Sequence, residues 1–165
     1  VKITASEEVG MRCMVQLALH PTATVSLSEL AAAEGLAEPF AAKVLGQLRR
    51  AGLVVAARGR SGGYRLAEPP EAITVARILA AVGRRLFDAG FCHRRSHRGQ
   101  APCLRLSECA LRPVWSHLDA LLEDFFTRTT LADLATGERA TRDRLAARWP
   151  LARHDSGSEG QRPTV

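Results

Sequence analysis

The sequence predicts a mainly α-helical fold with one small β-wing, followed by a long helix that stands apart from it. Three observations lead there. Three short helical patterns precede a single hairpin signal, in which two β-prone runs flank a glycine-rich turn. A long apolar stripe at helical spacing runs from Glu108 to Arg128. Between them lies an arginine-dense stretch that carries Cys92 and Cys103, with Cys109 just past its end.

Glu7 to His20 reads as the first helix. Val9, Cys13, Met14, Leu17 and Leu19 recur near the 3.6-residue period, Ser6 beside two glutamates suits a helix start, and Pro21 ends it. Ser26-Leu27-Ser28-Glu29 is a capping box: the serine oxygen takes the N3 amide and the glutamate reaches back. The helix it opens, Ser28 to Glu34, stops at Gly35. Glu38-Pro39 places proline in the first turn of a third helix, whose stripe is Phe40, Val44, Leu45 and Leu48 and which closes on Gly52. Leu53 to Ala57 and Tyr64 to Leu66 are the two strands, joined by Arg58-Gly59-Arg60-Ser61-Gly62-Gly63. Thr74 caps a helix from Val75 to Val82, and residues 83–108 read as irregular.

From Glu108 to Arg128 the apolar positions are 111, 114, 115, 118, 121, 122, 125 and 126. That stripe is too long and too apolar to lie bare on a small domain. The same helix of a second copy is the simplest cover, so a homodimer is expected. Thr130 to Leu134 reads as a short closing helix. Beyond Gly137 the pattern decays, and residues 137–165 are expected to be a polar, partly disordered tail. The chain thus divides into a helix-and-wing unit (1–82), a cysteine loop (83–108), a dimerisation and closing helix (109–136) and the tail.

Helix, helix, helix, wing is the order of a winged helix-turn-helix. An α-helix fits the major groove of B-DNA, and a hairpin tip reaches flanking phosphates or the minor groove. The charge agrees. The chain carries a net +6, and residues 36–65 hold six cationic side chains against Glu38 alone. Residues 84–105 hold six arginines against Asp88, while the remainder is net acidic. Double-stranded DNA is the expected partner. On the third helix Ala37, Glu38, Ala41, Ala42 and Lys43 are the candidate base readers, with Arg49 and Arg50 on phosphates. Arg58 and Arg60 are the candidate wing contacts, and Ser28, Ser61 and Tyr64 complete the set.

Other classes are excluded or disfavoured. The glycine loop lacks the Lys-Ser/Thr ending of a phosphate loop and does not open a helix. No nucleophile–histidine–acid or paired-carboxylate arrangement stands out, so no enzyme is expected. No run approaches the roughly 20 apolar residues of a membrane span. The opening Val1-Lys2-Ile3-Thr4 lacks the apolar core of a signal peptide, so a cytoplasmic protein with reduced or metal-bound cysteines is expected.

Cys92, Cys103 and Cys109 are separated by ten and five residues. Three thiolates so close together can hold a soft metal centre and leave one position open. The surrounding arginines favour thiolates and offset the charge of a thiolate-bound iron–sulfur cluster. The fourth ligand is open among Glu8, a histidine such as His93 or His97, and a small molecule. Structural zinc and a bare thiol switch are the alternatives to a cluster. Cys13 falls on the apolar face of the first helix and reads as core.

These stretches resemble a family, the Rrf-type bacterial regulators of IscR, NsrR, RirA and CymR kinds. The specific segments are Arg58-Gly59-Arg60-Ser61-Gly62-Gly63-Tyr64-Arg65-Leu66-Ala67 and Cys109-Ala110-Leu111-Arg112-Pro113-Val114-Trp115. Val25 to Ala31, Leu48 to Val54, Ile73 to Ala76 and Thr130 to Leu134 support them, and the likeness spans about residues 2–135. The resemblance implies a homodimeric, winged helix-turn-helix transcription regulator, a repressor, with crossed long helices. It also implies a labile cluster, 2Fe-2S or 4Fe-4S, on Cys92, Cys103 and Cys109 that reports iron–sulfur, redox or nitric oxide status. In NsrR-like members a carboxylate near the start of the first helix, from the other subunit, completes the site, and Glu8 matches it. IscR-like members carry an acidic residue on the recognition helix where this chain has Ala42, so operator sequence does not transfer. CymR-like members imply an alternative without a cluster, acting partly through a complex with an enzyme of cysteine metabolism.

Overall fold

The computed structural model describes residues 3–57, 59, 62–83 and 108–150. Arg58, Arg60, Ser61, Cys92, Cys103, His93 and His97 lie outside the described residues. The elements are α1 (Ala5–Leu19), α2 (Leu27–Glu34), α3 (Glu38–Arg50), β1 (Val54–Ala57), β2 (Gly63–Leu66), a 3-10 turn (Pro70–Ala72) and α4 (Val75–Val82). They continue with α5 (Leu111–Arg128), α6 (Leu131–Leu134) and α7 (Glu138–Arg148). The mainly helical class with a two-stranded antiparallel wing is as expected. No helix among the described residues is long and apolar enough to cross a membrane.

Two helix starts differ from the sequence reading by more than one residue, each for a local reason. The first helix is capped by Thr4, not Ser6: the Thr4 hydroxyl accepts from the Glu7 amide, and Glu7 Oε2 accepts from the Thr4 amide at 2.7 Å. The Ser/Thr-x-x-Glu spacing is met by Thr4 and Glu7, whereas three residues after Ser6 stands Val9. The long helix starts at Leu111 rather than Glu108. Pro113 then falls in the first turn, where its missing N–H is harmless; a start at Glu108 would put it where an amide is needed. The capping boxes at Ser26–Glu29 and Thr130–Asp133 form, and Gly35 ends α2 in the left-handed region at φ 62°.

The expected polar tail also differs. Glu138–Arg148 is helical. It has no apolar stripe to reveal it. Its residues are mostly good helix formers, and its far end is held by Arg148 and Trp149 against α5 and α6.

The core lies where α1, α3 and α4 meet the wing. Met14, Leu17, Leu45, Leu48, Leu53 and Ile78 are almost wholly buried in it. Two short bridges tie this body together. Val25 exchanges backbone hydrogen bonds with Tyr64, at 2.9 and 2.8 Å, adding one residue of strand to the wing. The Val75 amide donates to the Thr129 carbonyl at 2.9 Å and the Leu131 amide to the Ile73 carbonyl at 2.8 Å. The base of α5 is thereby bolted to the start of α4.

Cys13 is fully buried, and burial, assisted by the nearby Glu34 carboxylate, pushes its thiol up to about 11. Only the thiolate reacts readily. Peptide mapping after alkylation at pH 8 is expected to leave Cys13 unmodified in the native protein and modified after denaturation. The ordinary thiol value is 9.0, so the unfolded chain ionises first. This group's contribution to stability is fully present below pH 9.0 and lost as pH rises through about 11.

Candidate nucleic-acid interface and its link to the cysteine loop

Helix α3 is built with two opposite faces. Ala41, Val44, Leu45 and Leu48 point into the core with no exposed surface. Glu38, Lys43, Arg49 and Arg50 are exposed. Ala42 is half-buried beside them, and Ala37 is exposed at the N-cap. Ala41 therefore corrects the sequence reading: it faces the core, one position off the exposed stripe. Pro39 in the first turn and the glycine at 52, with φ 73°, fix where the helix begins and where the chain turns into the wing.

The charges of α3 stand apart electrostatically. Among the described residues no hydrogen bond or ion pair joins the Glu38, Lys43, Arg49 or Arg50 side chain to another group. Other described arginines are engaged. Arg77 pairs with Glu68 through both its Nη atoms, at 2.9 and 2.7 Å, and Arg128 pairs with Asp124. Unpaired cations on one exposed helix face are what a phosphate backbone neutralises.

The other predicted contacts fall around this helix. Ser28 is exposed on α2, its hydroxyl 3.1 Å from that of Ser26. Tyr64 is half-buried and packs against the core, so its ring supports the wing as much as it presents a surface. Gly63 beside it has no room for a side chain. An added Cβ would lie 2.3 Å from the Val25 carbonyl oxygen and 2.9 Å from the Ser26 amide nitrogen. Sequence reasoning treated Gly63 as a turn residue and missed this close approach, because the Val25 bridge is a single residue without a strand pattern.

Glu8 and Cys109 are the described members of the predicted cluster set. Glu8 sits in the first turn of α1 with its carboxylate side chain 61% exposed and an Arg12 nitrogen 3.6 Å away. Cys109 is a free, half-buried thiol just ahead of α5. Among the described residues no three of His, Cys, Asp and Glu converge on a metal site within one protomer. The two donors differ in kind: Cys109 offers a soft sulfur, Glu8 a hard, outward-facing carboxylate.

Arg12 connects Glu8 to the end of α2, a link the sequence did not disclose. Its Nε donates to Glu34 Oε2 at 2.6 Å, and its Nη2 donates to the Glu34 carbonyl at the end of α2. Gln16 Nε2 donates to the other Glu34 oxygen at 2.6 Å. The hydrogen bond to Glu34 holds the Arg12 guanidinium above its ordinary value, so the cation persists.

Comparison with known proteins agrees with this anatomy. Residues 3–137 match the family model Rrf2, described as an iron-dependent transcriptional regulator. The chain is 29% identical over 137 residues to the HTH-type transcriptional regulator IscR of Vibrio parahaemolyticus, covering 82% of this chain and 78% of that protein. It is 30% identical over 135 residues to IscR of Photobacterium profundum, covering 81% and 75%. Among solved structures, CymR, the global cysteine regulator of B. subtilis, superposes with a TM-score of 0.65 at 28% identity over 82% of this chain and 97% of that one. T. potens IscR gives 0.65 at 28% identity over 92% and 94%. With the helix-turn-helix, the wing and the long helix in the same order, and a family match over most of its length, this chain belongs to the Rrf2 family of transcriptional regulators.

Proposed function

We propose that this protein is a homodimeric DNA-binding repressor whose affinity is set by a labile iron–sulfur cluster. Its ligands would be Cys92, Cys103 and Cys109 of one protomer and Glu8 of the other. The observation that carries the reading is the chain of contacts from Glu8 through Arg12 to Glu34. A bound cluster supplies a centre sensitive to oxidation, nitric oxide and iron supply.

The protein's own residues do the rest. Were Glu8 to serve as the ligand from the other protomer, Arg12 would be left to Glu34 alone. With Glu8 free, its carboxylate returns to Arg12, and the grip on the end of α2 is shared. Because α2 props α3, the two states differ in how the paired reading helices are spaced. A difference of a few kcal/mol between them is enough for a switch.

Anaerobic purification followed by absorption spectroscopy, with iron and sulfide analysis, tests the reading. A coloured protein with iron and sulfide in similar amounts is expected, together with weaker DNA binding once the cluster is removed. Glu8→Ala should shorten the lifetime of the colour in air without unfolding the protein, as followed by absorbance and thermal melting. Binding to promoter DNA should also weaken steeply with salt, since Lys43, Arg49, Arg50, Arg58 and Arg60 would release counterions from phosphates.

A second reading has its own support in the likeness to CymR and in the free thiol of Cys109. A colourless protein, zinc-loaded or metal-free, that still binds DNA and responds to thiol oxidants or to a partner enzyme would select it over the cluster.

A further inference from the structure

The C-terminal helix α7 lies beyond the residues matched by the family model, which end at 137. What it grips is specific. Asp133 of α6 is buried, and its carboxylate accepts from the Thr130 amide at 3.0 Å and from Arg148 Nη1 at 3.1 Å. Arg144 Nη1 lies 3.8 Å from its other oxygen. Arg148 also donates to the carbonyl of Arg128, the last residue of α5. Trp149 packs its ring 4.6 Å from Phe125 of α5, with the guanidinium groups of Arg128 and Arg148 at 5.5 and 5.4 Å from its centre.

Burial alone would raise the Asp133 carboxyl, yet the Thr130 amide, Arg148 and the Thr130 hydroxyl together hold it below its ordinary value. These contacts converge on the joint where α5 meets the DNA-binding body, the same joint closed by the Val75–Thr129 and Leu131–Ile73 backbone bonds.

We propose that α7 is a clasp in which Arg148 and Trp149 are positioning residues, fixing the angle of α5 on the DNA-binding body and hence the spacing of the two reading heads on an operator. The proposal rests on the two-headed reading above. It follows from leverage. Each head hangs from the base of its own α5, so a loose joint lets the head wander. The effective concentration of the second head at its half-site then falls, while each head alone reads DNA as before.

The test uses the full chain and two duplexes: one selected by the wild-type protein from a randomised pool, and the same duplex with one half scrambled. Trp149→Ala and Arg148→Ala are each expected to weaken binding to the intact duplex about tenfold or more. Binding to the scrambled duplex should change less than about twofold, with the dimer retained on sedimentation. Trp149→Phe, which keeps a ring against Phe125, should restore intact-site binding. A mere stabilising role would weaken both duplexes together and track the melting temperature, and this overturns the proposal. So does an unchanged intact-site affinity in folded variants. A direct phosphate contact by α7 would lower both affinities and flatten the salt dependence, which also overturns it. Wild-type protein that selects no duplex overturns the DNA reading itself, whereas a failed clasp leaves wild-type binding intact.

Discussion

Gly63→Ala is expected to destabilise the protein by about 2–4 kcal/mol, the sum of an overpacked contact and two strained backbone hydrogen bonds. It should also weaken DNA binding at least tenfold. The new methyl would meet the Val25 carbonyl oxygen at 2.3 Å and the Ser26 amide nitrogen at 2.9 Å. Both are backbone atoms, so no side chain can swing aside. Relief requires opening the Val25–Tyr64 bridge, which lifts the wing from the start of α2 and disturbs the Ser26 cap. Because Arg58 and Arg60 belong to that hairpin, its displacement reaches the proposed phosphate contacts. Chemical denaturation and binding to a fluorescent promoter fragment measure both effects. Gly46→Ala is the control. On α3 an added methyl meets only an Arg50 nitrogen at 3.8 Å, so helix propensity should stabilise this variant by about 0.5–1 kcal/mol. If Gly63→Ala were as mild, the bridge would not be holding the wing.

Leu121→Glu should convert the proposed dimer to a monomer and lower affinity for promoter DNA by about a hundredfold, the loss expected when one head binds without the other. Leu111, Val114, Trp115 and Leu121 are 60, 56, 43 and 57% exposed on one protomer, and no residue of α5 is fully buried. A contiguous apolar face of that kind is an interface awaiting a partner. A charge at its centre must either remain in water or be buried unpaired, and the first is far cheaper. Sedimentation at micromolar concentration reads the oligomer directly. Trp115 gives a second signal, since its emission should shift to longer wavelength when the face is solvated. A Leu121→Glu protein that stays dimeric would move the interface elsewhere and leave this stripe without its expected role.

Much of the fold was legible because its signals are local. Proline and glycine punctuation set the ends of α3, and the Ser26–Glu29 spacing opened α2 as read. The misreadings have three sources: an atom distant in sequence, a competing local rule, and a side chain too featureless to mark its face. Ser6 looked like a cap until Thr4 found Glu7 at the right spacing. Ala41 looked like a base reader because alanine carries no polarity to betray which face it occupies. The helix at Glu138–Arg148 has no apolar period, and only Arg148 and Trp149, reaching Asp133 and Phe125, reveal why it is ordered. The cysteine set was legible as chemistry, and Glu8 as a position. The link from Glu8 to α2 was not, because Arg12 and Glu34 lie on different helices and nothing in their spacing pairs them.

The division of α3 into a buried apolar side and an outward side whose charges have no partners within the described fold has an evolutionary consequence. Exchanging Glu38, Ala42 or Lys43 for other residues sacrifices no internal bond, and surface changes of this sort usually alter stability by less than about 0.5 kcal/mol. Were these the positions that read base edges, target preference could drift from gene to gene while the scaffold stays intact, and a handful of codons would redirect one architecture to a new regulon.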